Sequence, residues 1–270
     1  MNAIKEELVN NVLSRVKDSK DTLKINYATS GDEFAKAIVI DDLLPSDLVL
    51  KCYEELESCD DWLIANDHRE SKATNQNIDQ IGDLSLSMME LFHDPRVIKE
   101  IGEVTSIDGL TADPSLYAGG ISKMINGNFL NPHIDNSHNR DRTMYRRLNL
   151  LFYVTPSLTT DDGASLHLWD RKVQTSKEIC SSFNRLVIME TDKYTWHSVS
   201  PMTSNKSRYC ISNYYFSLES ASRKNYYHVT SFTGRPEQKF NRIISSIDNF
   251  AGWVIASLFG GRGSRRGRQN

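Results

Sequence analysis

Short strand-like runs follow one another after Ser106, at 115–125, 147–155, 164–170, 185–191 and 207–217. Turn signals part them, with Asp161-Asp162-Gly163 in one gap and Ser181-Ser182-Phe183-Asn184 in another. Strands at this spacing bury their apolar faces by closing on themselves or by packing as two sheets, so a jelly roll is expected. At 270 residues, 39% hydrophobic and 25% charged, the chain can bury one large core, with room for a small helical extension. No internal repeat is visible.

The part before Ser106 has a different texture. Ile4, Leu8, Val12, Leu13 and Val16 fall at helical spacing and predict an amphipathic helix over 3–18. Strands are expected at 22–28 and 34–41. A helix should run from Pro45-Ser46 to about Ser58, with Ser46 as its N-cap, and others over 77–93 and after Pro95. Beyond the strands, Phe240, Ile243, Ile244, Ile247, Phe250, Val254, Leu258 and Phe259 form a helical stripe within 237–259. That helix either docks on the β core or offers a surface for self-association, a partner or an anionic membrane. Gly260 to Arg268 is glycine-rich and basic, hence a disordered tail. The expected division is a helical and strand support region over 1–105, a catalytic β core over 106–220, a C-terminal extension with its helix over 221–259, and the tail over 260–270.

Composition narrows the partners. A net charge of −3 gives no reason to expect nucleic acid. Cys52, Cys59, Cys180 and Cys210 show no CxxC and read as reduced thiols. The polar N-terminus carries no secretory signal, and no run reaches the roughly 18 apolar residues of a membrane span. A soluble, cytoplasmic protein is expected.

The chemistry lies in two distant stretches. Asn131-Pro132-His133-Ile134-Asp135-Asn136 holds His-x-Asp, and Tyr194-Thr195-Trp196-His197-Ser198 holds a lone histidine. In a strand, residues i and i+2 share a face, so His133 and Asp135 can offer two ligands from one segment while His197 faces them from another. Two histidines and a carboxylate on one side of an ion, with the remaining positions open, are the donor set of non-haem Fe(II) oxygenases. Three ligands plus water also serve zinc, but this chain has no helical H-E-x-x-H, and a zinc hydrolase would leave Arg208 without a task. Arg208 begins an alternating run, Arg-Tyr-Cys-Ile-Ser-Asn-Tyr-Tyr-Phe. An inward arginine in a barrel is costly unless an anion meets it, and its planar fork suits a carboxylate. A third reading is a binding module on the same barrel with a vestigial metal site.

From about Tyr117 to Ser217 the chain resembles the Fe(II)/2-oxoglutarate-dependent dioxygenases, in particular their prolyl 4-hydroxylase-like branch. The resemblance rests on His-x-Asp…His followed by a basic residue on the next strand. The segment Arg208 to Phe216 is similar to the same strand of the hypoxia-factor prolyl hydroxylases. The resemblance implies a double-stranded β-helix with helices packed outside it. It also implies that His133, Asp135 and His197 are catalytic iron ligands, and that Arg208 and Tyr153 bind the distal carboxylate of 2-oxoglutarate. Gly163 lies where the family has its turn before the next strand. The implied cofactors are Fe(II), 2-oxoglutarate as co-substrate and O₂, with ascorbate as a candidate reductant. The implied reaction couples decarboxylation of 2-oxoglutarate to succinate with hydroxylation of a peptidyl proline or, alternatively, of a small molecule, free amino acid or sugar.

The chain departs from the family in one place. Where the family often has Tyr-x-x-Gly before the His-x-Asp strand, this chain has Met124-Ile125-Asn126-Gly127, which removes one phenol near the metal. The basic stretch 140–147 reads either as a solvated loop or as a rim for an acidic substrate.

Overall fold

In the computed structural model, residues 2–31, 33–75, 77, 80–113 and 119–245 are described. The expected strand start at 115–118, the far end of the 237–259 helix and the basic tail lie outside the described residues. Residues 239–245 are helical. Among the described residues no helix is long and apolar enough to cross a membrane.

Five α-helices open the chain: α1 (Asn2–Asp18), α2 (Lys20–Thr29), α3 (Ser46–Glu57), α4 (Asp83–Glu90) and α5 (Pro95–Thr105). The strands are β1 (Ala37–Ile40), β2 (Leu63–Asn66), β3 (Glu70–Asn75), β4 (Thr111–Ala112), β5 (Gly120–Met124), β6 (Phe129–Ile134), β7 (Tyr145–Tyr153), β8 (Leu166–Trp169), β9 (Ser176–Ile179), β10 (Arg185–Glu190), β11 (His197–Val199), β12 (Arg208–Ser217) and β13 (Ser231–Phe232). They form one antiparallel sheet in the order β1-β10-β7-β12-β5-β3-β6-β11-β8-β9. The sheet folds over at β3, which pairs with β5 through Ala73–Asn75 and with β6 through Glu70 and Ser71. One wall is therefore β10-β7-β12-β5 and the other β6-β11-β8-β9, the two halves of a double-stranded β-helix. This is the jelly-roll α+β fold expected from the sequence.

Strand alternation splits the core in two. Leu148, Leu150 and Phe152 of β7, Leu186 and Ile188 of β10, and Tyr209, Ile211 and Tyr215 of β12 face outward onto the helices. Leu8, Val12, Leu56, Met88, Phe92 and Ile101 cover them. Each such fully buried aliphatic or aromatic side chain contributes about 1.5–3 kcal/mol. The alternate residues Tyr153, Val187, Met189 and Cys210 line the interior with Leu166, Leu168 and Ile179 from the other wall.

Three expectations are corrected. Residues 22–28 are helix, not strand: Leu23, Ile25 and Tyr27 alternate as in a strand, but Leu23 and Tyr27, four apart, are buried while Ile25 is 62% exposed. Docking of that i, i+4 pair in the helical layer outweighs local β preference. Ser46 is the first helical residue and Pro45 the cap, with no side-chain cap bond. The helix expected over 77–93 begins only at Asp83, where the Glu55 carboxylate accepts from the amides of Leu84 and Ser85, and it tightens to a 3₁₀ turn over Leu91–His93. Gly163 does sit in a turn, at φ +74°, and a Cβ there would meet the Pro201 carbonyl at 2.0 Å.

Candidate active site

His133 is the penultimate residue of β6, Asp135 follows that strand directly, and His197 opens β11. β6 and β11 are antiparallel neighbours with His133 directly opposite His197, so the register alone brings the two rings together at 4.1 Å between centroids. Asp135 closes the group: Oδ1 lies 3.7 Å from His133 Nε2 and Oδ2 lies 3.6 Å from His197 Nε2. The three donor atoms lie within 4.8 Å of one another, a spacing that accommodates a divalent ion about 2 Å from each.

Both rings are oriented in the same way. His133 Nδ1 lies 3.0 Å from the Asn131 carbonyl and His197 Nδ1 lies 3.1 Å from the Thr195 carbonyl. A carbonyl only accepts, so each Nδ1 carries the proton and each Nε2 lone pair faces the cluster. Burial, then the neighbouring His197, push the His133 pKa down to about 3, so its imidazole is neutral. Burial opposes the charge of Asp135. The Arg146 guanidinium, then His197 and His133, and a 2.7 Å hydrogen bond donated by Asn149 Nδ2 outweigh it and hold the carboxyl well below the usual range. The neutral His133 imidazole and the ionised Asp135 carboxylate are ready for a cation.

Arg146 also corrects the reading of 140–147. Its side chain is buried, with Nη1 3.3 Å from Asp135 Oδ2, Nη2 donating to Asn136 Oδ1 at 2.8 Å, and its plane 4.0 Å from the centre of the Tyr214 ring. Arg147 is buried too, 3.6 Å from Glu190. These two arginines belong to β7 and not to a solvated loop.

Arg208 opens β12 and is 3% exposed. Its guanidinium lies 4.8 Å from the centre of the Tyr153 ring, with Nη1 3.3 Å from Ser122 Oγ and Nε 3.5 Å from Ser181 Oγ. No carboxylate pairs with it among the described residues. The Tyr153 hydroxyl is buried beside it without a hydrogen-bond partner. A buried cation and a buried phenol side by side form a receptor for an anion.

Four contributors were not recognised from the sequence. Asn149 and Arg146 hold Asp135, and Phe232 of β13 stacks on His133 with centroids 5.2 Å apart. Lys72, inward on β3, is a fourth and is taken up below.

Residues 119–216 match the 2OG-Fe(II) oxygenase superfamily. No curated protein sequence matches the chain. Among solved structures, a Pseudomonas putida prolyl-4-hydroxylase aligns at 14% identity with TM-score 0.50, covering 73% of this chain and 97% of the other. HygX from Streptomyces hygroscopicus, solved with nickel and 2-oxoglutarate, aligns at 14% identity and TM-score 0.50 over 71% of this chain and 90% of its own. SnoN, an α-ketoglutarate-dependent epimerase of nogalamycin biosynthesis, aligns at 10% identity and TM-score 0.54 over 82% and 87%. At these identities the likeness is one of fold. With residues 119–216 matching the family model and a His-Asp-His cluster inside the shared fold, the chain is similar to the 2OG-Fe(II) oxygenases, enzymes that use Fe(II) and the co-substrate 2-oxoglutarate.

Proposed function

We propose that His133, Asp135 and His197 ligate the iron, that Arg208 and Tyr153 hold the distal carboxylate of 2-oxoglutarate, and that the enzyme hydroxylates an unactivated C–H bond. A prolyl residue is the leading substrate and ascorbate the reductant that keeps the iron ferrous. One observation carries the site assignment. A two-histidine, one-carboxylate cluster opens onto the same barrel interior as a buried arginine that, among the described residues, no carboxylate neutralises.

The bound iron and co-substrate supply the oxidation. The chain's own residues bind, orient and exclude water. Arg208 offers parallel N–H donors to a carboxylate, and the Tyr153 hydroxyl adds a third. Asn149 and Arg146 fix one Asp135 oxygen and leave the other directed at the ion. Leu151, Val187 and Met189 of the inner cluster keep the floor dry.

The prolyl reading draws on the likeness to the Pseudomonas putida prolyl-4-hydroxylase. A second reading keeps the cofactors and changes the substrate to a small molecule. The near-complete burial of His133 (5% exposed) and His197 (6%) favours it, because a narrow approach suits a compact substrate.

The test is anaerobic addition of Fe(II) and 2-oxoglutarate while the visible spectrum is recorded. A charge-transfer band is expected in the parent chain and absent in His197→Ala. In Arg208→Ala it should require far more 2-oxoglutarate with little change in iron affinity. Unaltered 2-oxoglutarate demand in Arg208→Ala would remove Arg208 from the co-substrate site. Succinate release stimulated by prolyl peptides, or instead by small molecules, then separates the two substrate readings.

A further inference from the structure

β3 brings a lysine into the barrel. On β5, Ser122 and Met124 face inward, since both side chains reach Arg208. β3 pairs with β5 through Thr74↔Ser122 and Ala73↔Lys123, so the next step of the register sets Lys72 beside Met124, on the same inner face. Arg208 pairs with Met124 from the other side. Arg208, Met124 and Lys72 thus stand in one row across three strands, the two cations roughly 10 Å apart at the backbone.

The Lys72 side chain is only 19% exposed. Its ammonium lies 3.4 Å from Glu70 Oε2 on its own strand. It is within electrostatic reach of Asp135, Arg208 and Cys210, and His133 feels its charge in turn. The register and these charge interactions set the ammonium on the inner face of the barrel, which Asp135 and Arg208 also face. Among the described residues, Lys72, Arg208 and Arg146 share this interior with only two carboxylates, Glu70 and Asp135, so a further anion is favoured there. The space has to take a dicarboxylate, with one carboxylate at Arg208 and the other beside the metal.

We propose that Lys72 binds the metal-side (C1) carboxylate of 2-oxoglutarate, so that the co-substrate is held by a protein cation at each end, Arg208 at C5 and Lys72 at C1. This rests on the assignment of the metal cluster and Arg208 above. Glu70 is a positioning residue that steadies the ammonium.

Binding decides the matter without turnover. The Fe(II)-loaded full chain is titrated anaerobically by calorimetry with 2-oxoglutarate, and with 2-oxovalerate, which keeps the 2-oxo acid head and lacks the distal carboxylate. Lys72→Met should weaken both ligands by roughly tenfold or more, the loss expected for a hydrogen bond to a charged group, with Fe(II) affinity unchanged. Lys72→Arg should restore most of it, and Lys72→Gln, which keeps a donor, should fall between. Arg208→Met should weaken 2-oxoglutarate alone.

If the Lys72 variants bind 2-oxoglutarate as the parent does, the inference is overturned while the site assignment stands. If Lys72→Met weakens 2-oxoglutarate but not 2-oxovalerate, Lys72 serves the distal end with Arg208 and the C1 assignment is wrong. A parent chain that binds neither ligand overturns the site assignment and this inference together.

Discussion

At the scale of single residues, the site depends on what holds Asp135. Asn149 donates to Oδ2 at 2.7 Å, and Arg146 reaches the same oxygen at 3.3 Å. Partners of this kind are worth roughly 10–100-fold in metal affinity. Asn149→Ala is therefore expected to weaken Fe(II) binding within that range while leaving the fold intact. Metal titration followed by circular dichroism of the same sample checks both, and unchanged metal affinity would refute the role. The cluster of His133, Asp135 and His197 was legible, because His-x-Asp carries its geometry in its spacing. Arg146 was not, and the reason is local. Tyr215 pairs with Leu148 but Phe216 pairs with Arg146, so Arg147 is an extra residue on β7. This bulge shifts the alternation by one and turns Arg146 inward toward Asp135. Lys72 was hidden for a related reason, since the strand that carries it, Glu-Ser-Lys-Ala-Thr-Asn, is polar at nearly every position and has no apolar alternation to reveal it.

At the scale of elements, the histidine pair depends on a strand of two residues. β3 covers the free edge of β6 at Phe129 and Leu130, and β13 takes over that edge at His133 and Ile134. The segment is tied down on both sides of β13. The amide of Ser137 donates to the His228 carbonyl, that of Thr233 to the Pro132 carbonyl, and Arg235 Nη2 to the Val199 carbonyl on β11. Phe232 packs its ring on His133 with the planes 22° apart, and the Arg69 guanidinium lies 5.8 Å from the centre of the Phe232 ring. Phe232→Ala should leave the barrel folded but free the His133 ring, lowering metal affinity, whereas Phe232→Tyr should retain it. Zinc titration of the two variants measures this, and equal affinities would show that the strap merely covers the edge. The large strands of the jelly roll and most of the helical layer could be read in advance because their periodicity extends over many residues. β13 is too short to have a period, and α2 carried the wrong one, since only its packing in the helical layer selects the helix.

At the scale of the whole molecule, histidines outside the metal cluster couple the fold to pH. His93 Nε2 donates to Asn213 Oδ1 behind β12, His167 meets Ser176 between β8 and β9, His138 stands at the rim against Tyr145, and His228 sits in the strap. Burial is the largest cause in every case, and each of the four has its pKa lowered from the ordinary value near 6.5. The unfolded chain binds a proton at each of these groups where the folded chain resists it. Their contribution to stability is therefore complete above pH 6.5 and is lost as the pH falls below it, by up to about 1.4 kcal/mol per pH unit for each group. The thermal midpoint of the metal-free chain should be level from pH 8 to 7 and decline from 6.5 to 5. His93→Gln, which keeps a polar partner for Asn213 but cannot take up a proton, should shallow that decline without moving the neutral-pH midpoint far. Because His93 lies in the helical layer and not in the barrel, a shallower slope would show that acid loosens the layer that backs the β12 wall. A midpoint level down to pH 5 would mean instead that the buried imidazoles are protonated in the folded chain at little cost.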